Sequence, residues 1–166
     1  MLSIVSTLTD LAAPWAHYYN DSKLLSTAVT FVHLGGTLLA GGFAIAMDRD
    51  TLRFVSSGPA SEHAHLADLH SIHRPVIIGL ALTFVSGLLL LAADVETLLP
   101  ALLFWCKMGG IGALLGNGAL LQRAETELRL GSVTPDRAWR RLRRFAWSSV
   151  VLWFGALLLG TALLAI

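Results

Sequence analysis

The chain has 166 residues, 55% of them hydrophobic and only 14% charged, and its mean hydropathy is +0.67. That balance belongs to membrane proteins rather than to water-soluble domains. Twelve Lys and Arg against eleven Asp and Glu leave a net charge of +1, so nothing points to nucleic acid, and the single cysteine, Cys106, excludes an internal disulfide.

Residues 1–23 precede the first long apolar stretch. Met1 to Ala13 carry no positive charge and include Asp10, so no cleaved signal peptide is expected and the first span serves as an uncleaved anchor. Leu8, Leu11, Trp15, Tyr18 and Tyr19, with His17 among them, predict a short element lying at the outer interface. Its plainer role is that of an aromatic belt.

Four stretches, at about 24–47, 75–93, 98–121 and 145–166, reach the roughly 20 residues that a helix needs to cross the hydrocarbon core. In lipid the backbone must satisfy its own hydrogen bonds, and a barrel would show shorter, alternating strands. The expected fold is therefore all-α: one domain over residues 24–166, an integral membrane bundle of four transmembrane helices.

The first span carries Gly36, Ala40 and Ala44 at intervals of four, with Thr37 and Gly41 beside them and His33 on the same face. The connection after it holds Arg49, Arg53 and Arg74, together with Glu62, His63, His65, Asp68, His70 and His73. On a helix His63 and His70 share a face and His70 neighbours His73, a donor set suited to a transition metal such as copper. Against a metal site, no His-Glu-x-x-His signature is present, and histidines at an interface stay solvated at little cost. Ser57-Gly58-Pro59 is a turn signal, Ser57 or Ser61 is a cap candidate, and Pro75 predicts a helix start or a kink.

The second span contains Gly79 and Gly87, nearly on one face, and the connection after it holds only Asp94 and Glu96. In the third span Gly112 and Gly116 form a small-xxx-small pair flanked by Gly109, Gly110, Ala113 and Gly118. The same span carries Trp105, Lys107 and Asn117. Beyond it come Arg123, Arg129, Arg137, Arg140, Arg141, Arg143 and Arg144, and Thr134-Pro135-Asp136 predicts the start of a helix that runs into the fourth, Leu-rich span.

Short loops rich in Lys and Arg stay cytoplasmic. The first and third connections are thus placed inside and the second outside, which predicts a multi-pass protein of a bacterial inner membrane with both the N-terminus and the C-terminus outside, in the periplasm. The arginines from Arg140 to Arg144 are expected to fix this topology and to meet anionic lipid head groups. Their alternative is docking onto an acidic partner. The small-residue stripes make the first and third spans the expected close-packed centre, although the same stripes would equally serve a homo-oligomer or a membrane-protein partner.

Ionisable groups deep in a membrane are costly and mark functional sites by default. His33 and Lys107 are each nine residues in from the outer end of their spans, so both lie roughly 14 Å deep. Two basic groups at one depth imply an anion, a neutralised pair or a cofactor carrying negative charge; the structural alternative is interhelical hydrogen bonding. Asn117 carries the same two readings. Trp105, beside this level, is a candidate for packing on a cofactor ring or simply for lipid contact. Haem b held by His33 and His73 is opposed by a depth difference of about 20 Å. A five-coordinate haem on His33, or one whose propionate meets Lys107, is compatible with the counting.

Val32-His33-Leu34-Gly35, Asp48-Arg49, Arg74-Pro75, and Lys107 with Asn117 are features through which the chain resembles bacterial integral membrane families related to the membrane part of CopD-like copper-resistance proteins. The resemblance implies a four-helix membrane domain and metal or haem handling, with fewer spans than a full CopD-like protein.

The leading functional expectation is a small non-catalytic scaffold or accessory subunit of a membrane complex. The second is a haem- or metal-binding protein in electron transfer or metal handling, using His33 and Lys107 or the cluster of His63, His65, His70 and His73. Transport would need oligomerisation to make a pathway. An enzyme is disfavoured, because no acid, base and nucleophile converge at one depth.

Overall fold

The structure, a computed structural model, describes residues 2–54, 62–130 and 134–163. It is all-helical over these residues: α1 (Leu2–Asp21), α2 (Lys23–Phe54), α3 (Glu62–Ala93), α4 (Val95–Leu98), α5 (Leu102–Arg129) and α6 (Pro135–Ala162). Three segments, Lys23–Leu52, Arg74–Ala93 and Trp139–Ala162, are long and apolar enough to cross a membrane. Of the stretch that the sequence offers as a third span, about 98–121, only the part from Leu102 on lies in α5, and Leu98 ends α4; α5 is as long as α6 at 28 residues. Its glycines, Lys107 and Asn117 lower its apolar content, and it is not among the three.

The surface inverts the rule for water-soluble proteins. Phe31, Leu38, Phe84, Val151 and Leu158 are all exposed, whereas Asp48, Thr51, Ser86, Asn117, Glu125 and Ser149 are buried. Large apolar side chains outside and polar ones inside is the arrangement that lipid selects.

Local signals account for several helix ends. Asp94 caps α4 by accepting from the backbone N–H of Thr97 at 3.3 Å. α6 begins at Pro135, where a missing N–H costs nothing in the first turn; Thr134 stands at its cap position without making a side-chain cap bond. Pro75 does not start a helix. It lies inside α3, which opens at Glu62, and leaves that helix one backbone donor short. The N-terminal element is longer than the short interfacial piece predicted: α1 runs from Leu2 to Asp21 and packs on α3 and α4. Trp15 ties it down by donating from Nε1 to the carbonyl of Leu89 at 2.8 Å.

The packing order differs from the expected one. α2 packs most extensively on α3 and α5 on α6, and α2 against α6 joins the two pairs. The stripe of Gly36 and Ala40 does mediate a close approach, but to Gly79 and Thr83 of α3 rather than to α5. Among the described residues nothing lies within 4 Å of a Cβ placed at Gly109, Gly112 or Gly116, which leaves the glycine face of α5 open to them. Lipid gives helices no hydrophobic reason to associate, and here two glycines that face each other across α2 and α3 achieve more than a longer stripe on one helix.

Candidate functional site

The bundle is layered. Ala40 of α2, Leu114 of α5 and Trp153 of α6 form a buried apolar cluster, with the Trp153 ring lying against bare backbone at Gly41. Seven residues back from Ala40 is His33, and seven back from Leu114 is Lys107. Seven residues on from Trp153, along the antiparallel α6, is Gly160. Seven residues is close to two helical turns, so these three return to the same faces about 10 Å further along the bundle.

There the interior is polar and basic. His33 Nδ1 lies 3.0 Å from the carbonyl oxygen of Thr83 and 3.1 Å from Ser86 Oγ. A carbonyl only accepts, so Nδ1 carries the proton and donates to it; Ser86 directs its own O–H to the carbonyl of Leu82 at 2.6 Å. This fixes the tautomer and leaves Nε2 as a free acceptor. Gly87 gives the imidazole its space: a Cβ there would stand 3.2 Å from Cε1. On the other side, Lys107 lies near enough to His33 for their charges to interact, and its Nζ rests against Gly160, 3.5 Å from where a Cβ would be. Among the described residues no carboxylate pairs with Lys107.

The other candidates separate from this pair. Trp105 is 52% exposed, turns outward and donates to the carbonyl of Leu99 at 3.0 Å. Asn117, ten residues beyond Lys107 on α5, is buried and donates from Nδ2 to the carbonyl of Phe145 at 2.9 Å. The side chains of His63, His65, His70 and His73 lie outside the described residues. The register of α3 still bears on the bis-histidine haem: Thr83 and Ser86 are level with His33, and position 73 is ten residues before Thr83, about 15 Å along the axis. Among the described residues no group of three or more His, Cys, Asp or Glu converges.

A second polar layer, at the other side of the apolar cluster, was not recognised from sequence. Asp48 of α2 is only 2% exposed and accepts a hydrogen bond from Ser149 of α6, with the buried carboxylate of Glu125 of α5 close enough to repel it. Its Oδ2 is enclosed and meets no hydrogen-bond partner among the described residues. Asp48 and Glu125 fall at or beyond the ends of the apolar stretches, where a carboxylate reads as solvated. The signal that would have found them is spacing: Asp48 is eight residues on from Ala40, and Glu125 eleven on from Leu114, each back on its inward face.

Comparison with known proteins adds no relative: no family model, curated protein or solved structure matches the chain.

Proposed function

We propose that the chain is a small non-catalytic integral membrane protein that serves as a scaffold or accessory subunit of a membrane complex. In this reading α5 is the fourth span, both termini lie outside a bacterial inner membrane, and the arginines of α6 meet anionic head groups on the cytoplasmic side. The observation that carries it is the open face of α5. Among the described residues nothing packs on the bare backbone of Gly109, Gly112 and Gly116, while Asn117, roughly 100° round the helix from Gly116, is buried in a bond to the chain's own α6. Small residues on a lipid-facing helix admit a second helix at close range.

The test is gentle isolation from native membranes after crosslinking. A reproducible partner band that disappears in Gly112→Leu, with the bundle still folded, is the expected result. Isolation of a homogeneous lone polypeptide, unchanged by the substitution, would sink the accessory role.

A second reading has its own support. An imidazole whose Nδ1–H is held by a carbonyl is oriented as a ligand through Nε2, so His33 suits a haem iron better than it suits a role in packing alone. A bare transition metal is less well matched, because the Lys107 ammonium would repel it. An absorption spectrum of gently solubilised protein decides this: a Soret band lost in His33→Ala selects haem, and a colourless preparation ends that reading.

A further inference from the structure

The outer polar layer presents an acceptor and a donor that find no partner among the described residues. His33 Nε2 is the acceptor, fixed by the bond from Nδ1 to Thr83. Lys107 Nζ is the donor, lying beside the backbone of α6 at Gly160. Both side chains are half-buried rather than sealed, and large apolar side chains such as Leu34 and Phe84 nearby in sequence face outward. A ligand reaching this layer arrives through an apolar phase.

The chemistry of the pair narrows what it takes. A small anion without a proton, such as chloride, would satisfy Lys107 but would set its negative charge against the lone pair of Nε2, and one with an O–H, such as dihydrogen phosphate, does not enter through an apolar phase. A metal cation would suit Nε2 but not the ammonium. A group that brings an O–H to the imidazole and an oxygen lone pair to the amine satisfies both, and that is the pattern of an undissociated oxygen acid. Any movement of its proton toward Nε2 leaves an oxyanion facing Lys107, where a charge-assisted hydrogen bond strengthens.

We propose that His33 and Lys107 form a binding site for the acidic hydroxyl of a membrane-soluble weak acid, the chemistry shared by a long-chain fatty acid and a quinol. The site does not depend on the scaffold reading, and it excludes the haem reading, in which iron would take the same Nε2. Gly87 and Gly160 belong to it as the positions that give the imidazole and the ammonium their space.

The full chain in phosphatidylcholine nanodiscs is titrated in one arm with palmitic acid labelled with carbon-13 at the carboxyl. The other arm uses a decyl-substituted benzoquinol labelled at the hydroxyl-bearing carbons. A shifted resonance that saturates at one ligand per chain in either arm supports the site, and the arm that responds identifies the source. Lys107→Met and His33→Phe are each expected to weaken binding by about tenfold or more. Gly160→Leu, which covers the ammonium and keeps both basic groups, is expected to do the same. Helical content and monodispersity identify which variants fold, and binding is read on those; the native chain decides alone if none does. Partitioning without saturation in both arms, or saturable binding unchanged in the folded variants, overturns the proposal.

Discussion

Gly36 and Gly79 face each other reciprocally across α2 and α3: a Cβ on Gly36 would stand 2.9 Å from the carbonyl oxygen of Gly79, and one on Gly79 would stand 2.8 Å from that of Gly36. The obstacles are backbone atoms of two helices, which cannot turn aside as a side chain can. Gly79→Ala is therefore expected to cost about 1–3 kcal/mol of stability through overpacking. Gly35→Ala, one residue from Gly36 but facing open space, is the control and should change little. Reversible unfolding in mixed micelles measures both; equal effects would remove the close approach as the cause.

Asp48 and Ser149 make the second prediction. Asp48→Asn keeps the volume and an oxygen for Ser149, and it replaces the charge that Glu125 repels with a neutral amide. The variant should be at least as stable as the native chain, because a buried charge without full pairing is destabilising. Ser149→Ala withdraws the donor and should destabilise by about 1–3 kcal/mol. The reverse order in a thermal melt would show that the Asp48 carboxylate is held by more than Ser149.

Asn117→Leu tests the joint between α5 and α6. It removes the bond to the carbonyl of Phe145, and such interhelical bonds contribute only about 0.6 kcal/mol on average in a membrane protein. A loss of about 1 kcal/mol with the helical content unchanged is the expected outcome. Collapse of the bundle would mean that Asn117 does more than join two helices.

By contrast, the exposed pair of Arg141 and Glu127, at 2.9 Å, should matter little. Glu127→Gln is expected to change stability by less than about 1 kcal/mol, with the difference shrinking as salt screens the pair. A larger, salt-insensitive loss would assign Glu127 a buried role.

Cys106 probes the proposed membrane location of α5. It is exposed on the protein surface, so as part of a fourth span it faces lipid. A lipophilic maleimide should label it in intact membranes, and a sulfonated one should not until detergent is added. Prompt labelling by the sulfonated reagent would take α5 out of the bilayer.

The apolar stretches predict an all-helical membrane protein because helix is the one form in which a long lipid-facing segment satisfies its own backbone; the described residues are all-helical, with three of the four stretches in segments long and apolar enough to cross. Equal depth counts put His33 and Lys107 at one level on paper; in the structure α2 opens at Lys23 and α5 at Leu102, so the two are not equally far from their helix starts. The partner of each helix face was not legible in this way. Gly112 and Gly116 look on paper like a better interface than Gly36 and Gly79, yet the closest approach is made by the latter.

By itself, then, the sequence determined the helical class and how far along the helices each polar group sits, because both depend on local properties of one segment in one solvent. Only the tertiary structure decided that α2 lies on α3, that His33 turns Nδ1 to Thr83, and that Asp48 and Glu125 are both buried. Those depend on how each helix is rotated about its axis, and rotation is set by complementary shape on two helices at once, which no single stretch of sequence contains.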